Sequence, residues 1–164
     1  MSLFNFFKKN KEKNYIEIYS PLNGKVIDLS EVPDKMFADK MIGDGCAIDP
    51  TEGFIHSVAD AKINIFDTNH LITFDLRCGL ELIVHFGIDT IKLDGHGFER
   101  LVMPGDIKAG DKIIKYNLEY ILKNSKSAIT PIIIPNMEDI SELEVVATGD
   151  VKVGDLLMKV VLKQ

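Results

Sequence analysis

The chain predicts an all-β fold, an antiparallel β-sandwich or flattened barrel with short helical turns and internal pseudo-symmetry. Beyond residue 14 the sequence falls into short apolar or alternating runs broken by Gly, Pro, Asn and Asp, the pattern of strands joined by tight turns. Stretches with helical spacing are few and short. The segment Gly105-Asp106-Ile107-Lys108-Ala109-Gly110-Asp111 returns as Gly149-Asp150-Val151-Lys152-Val153-Gly154-Asp155, and each copy runs into an aliphatic stretch. Two copies are too few for a solenoid, so the repeat predicts Gly-Asp turns feeding two related strands.

In order along the chain, Ile16 and Ile18 alternate with Tyr15, Glu17 and Tyr19, and Pro21-Leu22-Asn23-Gly24 reads as a turn into a strand at Lys25 to Leu29, a first hairpin. Pro33 and Asp34 suit a helix start, with Phe37 and Met41 four apart on one face, and Gly43-Asp44-Gly45 ends that element. Further strands are expected at Cys46 to Ile48, Phe54 to Val58, Ile63 to Phe66 and Ile132 to Ile134, with a helical turn at Leu118 to Lys123. No linker interrupts this pattern. It predicts a flexible segment at residues 1–14 followed by one domain over 15–164.

The 164 residues can bury a core without staples, and no apolar run reaches a transmembrane length. A net charge of -6 argues against nucleic acid, whose phosphates require clustered Lys and Arg. Cys46 and Cys78 are far apart and lack CxxC spacing, which predicts neither a disulfide framework nor a zinc knuckle and suits a reducing cytoplasm. At the N-terminus, Leu3, Phe4, Phe6 and Phe7 precede Lys8, Lys9, Lys11 and Lys13, the reverse of a secretory signal. That segment reads either as a frayed terminus or as a weak membrane contact.

The most informative stretch runs from Asp67 to Thr90 and reads as a hairpin carrying His70 and His85. With a two-residue loop at Cys78-Gly79, His85 lies opposite Ile72 and diagonal to His70. Diagonal positions share a face at roughly 7–8 Å, so both rings could address one small anion. A three-residue loop would flip the parity and separate them. A neutral imidazole is a nucleophile, and a second ring can donate a hydrogen bond to the oxygens of an arriving phosphoryl group, with no metal or cofactor required. Gly87 would let backbone approach that group, and the segment after it, including Asp89, could offer N–H groups. His56 and His96 read as structural, and Cys46 as a small core residue.

The run His85-Phe86-Gly87-Ile88-Asp89-Thr90, then Leu93-Asp94-Gly95 and Gly97-Phe98, together with Thr68-Asn69-His70, resembles the glucose-class IIA proteins of the bacterial phosphoenolpyruvate-dependent phosphotransferase system. Pro21-Leu22-Asn23-Gly24, Val32-Pro33-Asp34, Phe37-Ala38, Gly43-Asp44-Gly45 and Thr130-Pro131 extend the resemblance over nearly everything after residue 14. It implies a phosphoryl group carried on His85, with His70 as stabiliser and Thr68 tuning His70. It also implies a donor, the histidine-containing phosphocarrier protein, and an acceptor, the IIB domain of a sugar permease. Met36, Phe37, Met41, Ile42, Phe66 and Ile83 match the docking ring of that family, with Asp34 and Asp89 placed to pair with a donor arginine. The chain departs from the family at Ser57-Val58-Ala59-Asp60-Ala61 and at Lys35 and Lys92.

Three other classes compete. His85 and Asp89 have the His-x-x-x-Asp spacing of a zinc hydrolase of similar β architecture, but the His-x-His element of such enzymes is missing. Adventitious zinc between His70 and His85, completed by a partner's carboxylate, would need no such element. A regulatory module that senses phosphorylation is the second class. The Gly-Asp repeat suggests the third, a lipoyl-like carrier, but its lysine in a tight hairpin is not evident.

Overall fold

A computed structural model describes residues 13–164, and within them the chain is built mainly of antiparallel strands. β1 (Ile16–Tyr19), β2 (Gly24–Ile27) and β3 (Asp44–Pro50) come first, with the one-turn helix α1 (Lys35–Ala38) between β2 and β3. A contiguous block follows: β4 (Phe54–His56), β5 (Ala61–Ile65), β6 (Leu71–Asp75), β7 (Glu81–His85), β8 (Phe98–Arg100), β9 (Gly105–Ile107) and β10 (Lys112–Tyr116). After α2 (Leu118–Asn124), the strands β11 (Thr130–Ile134), β12 (Ile140–Val145), β13 (Asp150–Val151) and β14 (Leu156–Leu162) complete the chain.

The eight-stranded sheet runs β13-β2-β3-β11-β7-β6-β5-β9, and two three-stranded sheets run β1-β14-β12 and β4-β10-β8. These orders are palindromic. Each strand of the block β4–β10 has a counterpart in a second unit formed by β1–β3 and β11–β14, so one seven-stranded unit is inserted into another. The Gly-Asp repeat marks the same place in both. Lys108 N–H donates to Asp111 Oδ2 and Gly110 N–H to the Ser57 carbonyl, while Lys152 N–H donates to Asp155 Oδ2 and Gly154 N–H to the Ser20 carbonyl. Even the departure at residues 57–61 has a role here. Ser57 Oγ donates to the Ala59 carbonyl as Ser20 Oγ does to that of Leu22, so Ser57-Val58-Ala59-Asp60 is the internal counterpart of Ser20-Pro21-Leu22-Asn23.

Strand alternation divides the apolar residues between two faces. Cys46, Ile48, Leu82, Val84, Ile132 and Ile134 join the main core, with Ile18, Ile113, Ile114, Met158 and Val160 from the smaller sheets. On the outer face Leu29, Val32, Phe37, Ala47, Ile88 and Ile133 form a second cluster beneath the connection 28–43. Asp34 caps α1 by accepting from Met36 N–H at 2.8 Å, and Asp28 accepts from Ser30 N–H, so that connection is turned by its own side chains.

Several expectations need correction. β1 and β2 do not form a hairpin: β1 pairs with β14 and β2 with β3, and the turn 21–24 carries the chain from one sheet to another. β2 stops at Ile27, and Leu29 begins a turn of 3-10 helix buried in the second cluster. α1 ends at Ala38, so Met41 lies beyond it and shares no helical face with Phe37. The eight-stranded sheet does not close into a barrel; β13 and β9 are its edges. Of the expected flexible segment 1–14, residues 1–12 lie outside the described residues, as does most of the expected membrane contact, while Lys13 pairs with Glu142 at 2.5 Å. No helix among the described residues is long and apolar enough to cross a membrane.

Candidate functional site

His85 ends β7, and His70 stands just before β6. The register between these strands is not the expected one. Leu76 N–H donates to the Leu80 carbonyl at 3.0 Å across a three-residue loop, Arg77-Cys78-Gly79, and His85 faces Leu71 rather than Ile72. Arg77 and Gly79 both take positive φ, and Asp75 Oδ1 accepts from Arg77 N–H, which makes the longer loop.

The parity flip does not separate the rings, because His70 is outside the regular strand. Asn69 adopts a left-handed conformation at φ 59, with its N–H on the Phe66 carbonyl at 2.7 Å. The resulting bend turns the His70 ring to meet His85, with centroids 5.0 Å apart and planes at 83°. Phe37 stands 5.0 Å from the other side of His85, and Phe66 lies 6.2 Å from His70.

Hydrogen bonds fix the chemistry of both rings. Nδ1 of His85 lies 2.8 Å from the Gly87 carbonyl. A carbonyl can only accept, so Nδ1 holds the proton and Nε2 holds the lone pair. Nδ1 of His70 lies 2.6 Å from Thr68 Oγ1. When that hydroxyl donates, Nε2 of His70 carries the ring proton and becomes a donor. Burial, with a smaller contribution from neighbouring His85, pushes the His70 pKa down to about 4. Burial lowers the His85 pKa as well, against the opposing pull of the Gly87 carbonyl and the Asp34 carboxylate. Both rings are therefore neutral at pH 7.

Gly87 serves this site through its carbonyl and its shape. Its φ is 67, and a Cβ there would sit 2.6 Å from Thr90 Cγ2 and 2.7 Å from the Ser127 carbonyl oxygen. Its N–H points to Thr130 Oγ1 at 3.4 Å, and the N–H of Ile88 donates to the Ser127 carbonyl at 2.8 Å. These two N–H groups hold the loop rather than stand open to a ligand. Thr90 Oγ1 donates to the Phe86 carbonyl at 2.5 Å. Asp89 takes φ 60 and lies 3.6 Å from Lys92 Nζ.

The surrounding apolar residues divide. Met36, Met41 and Phe66 are 52%, 67% and 46% exposed. Ile42 and Ile83 are half-buried against the second cluster. Phe37, expected in the docking ring, is only 6% exposed and belongs to that cluster, so it supports His85 from beneath. Sequence reasoning met Thr90 and Thr130 only as motif residues, with no role of their own, and missed Arg100. Arg100 donates from Nε to Asn69 Oδ1 at 2.9 Å and from a terminal nitrogen to the Phe66 carbonyl at 3.0 Å. Among the described residues, no group of three or more His, Cys, Asp or Glu is placed to hold a metal.

Fold and site together give an all-β protein with two neutral imidazoles set edge to face at the rim of a sheet. The profile of the phosphoenolpyruvate-dependent sugar phosphotransferase system EIIA 1 family matches residues 16–140. The glucose-specific EIIA component of Staphylococcus epidermidis is 45% identical over 155 residues, covering 90% of this chain and 93% of the relative. That of Staphylococcus aureus is 44% identical over 160 residues, covering 93% and 96%. The solved structure of glucose permease IIA from Mycoplasma capricolum superposes with a TM-score of 0.84 at 34% identity, covering 97% of this chain and 99% of the other. This chain belongs to the EIIA 1 family of the phosphoenolpyruvate-dependent sugar phosphotransferase system. It is a component of sugar transport.

Proposed function

We propose that this chain is a glucose-specific phosphohistidine carrier, residues 15–164 acting as one IIA domain in the cytoplasm. Glucose is assigned from the names of the relatives. The observation that carries the reading is the Nδ1–Gly87 hydrogen bond, which leaves the lone pair of His85 on Nε2 beside the His70 ring. Nε2 attacks the phosphorus of the donor's phosphohistidine; the new N–P bond forms as the donor's N–P bond breaks, and the bonding pair leaves with the donor imidazole. The transition state is loose, with charge spread over the phosphoryl oxygens, and His70 Nε2–H donates to one of them. Thr68 keeps that proton on Nε2. The donor is the histidine-containing phosphocarrier protein and the acceptor is the IIB domain of a sugar permease, both meeting the exposed Met36, Met41 and Phe66 and the carboxylates of Asp34 and Asp89. Ile91, 58% exposed just after Asp89, joins this surface. The step requires no metal or cofactor.

Incubation with phosphoenolpyruvate and the upstream carriers, followed by mass spectrometry, tests the reading. An acid-labile gain of one phosphoryl group on the wild type, absent from His85→Ala, is expected. An unlabelled wild type overturns it.

A further inference from the structure

The loop 66–70 holds Thr68 and His70 in place, yet little apolar burial anchors it. Phe66 and Asp67 are exposed, and Thr68 and Asn69 are half-buried. Inside the loop, Asn69 N–H closes on the Phe66 carbonyl. Among the described residues, Arg100 is the one side chain outside the loop that hydrogen-bonds residues 66–69. It does so at both ends of the turn, gripping the first carbonyl and the amide side chain of the left-handed residue. Arg100 sits on β8, in a different sheet from the β5–β6 pair that the loop joins. Among the described residues it has no carboxylate within ion-pair distance, so a salt bridge does not account for its presence.

We propose that Arg100 is a positioning residue for phosphoryl transfer, its guanidinium clamping the 66–70 turn so that the Thr68 hydroxyl meets His70 Nδ1 and one tautomer of His70 is held. This rests on the phosphocarrier reading above. The planar fork of an arginine can bind two acceptors at fixed separation, which a lysine cannot do. If the clamp is lost, the turn loosens, Thr68 no longer selects the tautomer, and Nε2 of His70 carries its proton only part of the time. Misplacing one donor by a fraction of an ångström is costly in a transition state that depends on positioning.

Nitrogen-15 NMR of the imidazoles in the full chain reads the tautomer directly, and rapid-quench assays read transfer. Arg100→Gln should show His70 averaging between tautomers while His85 keeps its proton on Nδ1, and delivery to the IIB acceptor should fall by about tenfold. Arg100→Lys should fail to restore either. Asn69→Gly permits the left-handed backbone and removes the side chain that carries the Oδ1 acceptor, so it should move both readouts the same way, and the double variant should be no worse than Arg100→Gln. Where Arg100→Gln does not fold, Asn69→Gly decides. An unchanged His70 tautomer, full rescue by Lys, or additive losses in the double variant overturn the clamp. Should the wild type take no label, the phosphocarrier reading fails by itself, and the tautomer spectra still decide whether Arg100 orders His70.

Discussion

On the outer face of the eight-stranded sheet, Ile27 pairs with Ala47 and Gly45 with Ile133 in one half, where Asn64 pairs with Thr73 and Leu71 with His85 in the other. The backbones are counterparts, but Asn64, Thr73 and His85 stand in the second half where the first has Ile27, Ala47 and Ile133. The cause is the connection that follows β2 or β5. The long segment 28–43 folds over its own half and brings Leu29, Val32 and Phe37 down on Ala47 and Ile133, so that face is apolar. The short segment 66–70 cannot cover anything, and its half stays open and polar. His85 sits at the border, with Phe37 from the cover on one side and His70 from the short loop on the other. A duplicated sheet thus provides a rigid frame, and unequal loops decide which half keeps an open face.

The sharpest way to break this comparison is to move the nucleophile. Ile133 occupies the place in the covered half that His85 holds in the open one. His85→Ala should abolish labelling, and adding Ile133→His should not restore it, because position 133 lies under the cover without a second imidazole or a Gly87 carbonyl. Mass spectrometry after incubation with the upstream carriers reads both. Labelling of the double variant would show that the open face is not what matters.

Next in size is the second ring. His70→Gln keeps a donor of different length and loses the imidazole, so acceptance onto His85 should persist while delivery to the IIB acceptor slows by on the order of 10²–10³. Rapid-quench traces should show phospho-His85 accumulating. Normal delivery, or no acceptance at all, would mean the roles of the two histidines are misassigned.

Much of this is legible in the amino-acid sequence. The turn residues predict an all-β fold, the Gly-Asp repeat marks the pseudo-symmetry, and one hairpin carries both His70 and His85, although the diagonal pairing expected from a two-residue loop is overturned. The hairpin register was not legible. It depends on Arg77 accepting a left-handed conformation that Asp75 stabilises, and nothing in the local composition signals it. The pairing of the rings survived through a feature equally hidden, the bend at Asn69. Arg100 was invisible for another reason: it meets Asn69 and Phe66 across 31 and 34 residues, between sheets whose adjacency only the fold establishes. The burial of Phe37 likewise follows from the cover folding back, not from its spacing to Met41.

The cost of holding His70 neutral should appear in stability as a function of pH. Its folded pKa is about 4 against 6.5 for the free side chain, so between those values the unfolded chain binds a proton that the folded protein refuses. Its contribution is fully present above pH 6.5 and is lost as pH falls toward 4, by up to about 1.4 kcal/mol per pH unit in that window. Urea titrations of His70→Gln from pH 4 to 7 should show a flatter dependence than wild type. A residual slope of the same sign should remain, since burial lowers the pKa values of His85 and His56 too. Identical slopes for the two proteins would mean that His70 is not held neutral by burial.

The smallest effect tests the two faces directly, through a reciprocal exchange at Ile27 and Asn64, which are counterparts in β2 and β5. Ile27 is half-buried against the cover, so Ile27→Asn places an amide where the cover provides apolar partners, and roughly 1–3 kcal/mol of stability should be lost. Asn64 is exposed on the open face, so Asn64→Ile trades one solvated side chain for another with better strand propensity, and the change should stay within about 0.5 kcal/mol. Urea midpoints at pH 7 separate the two, provided the slopes of the transitions are unchanged. The asymmetry is the point of the measurement: an identical pair of residue types exchanged between equivalent strands should have unequal costs only because one strand lies under a cover. Equal losses at the two positions would show that the outer faces are energetically alike. The polar face around His85 would then need an explanation other than the short loop that leaves it open.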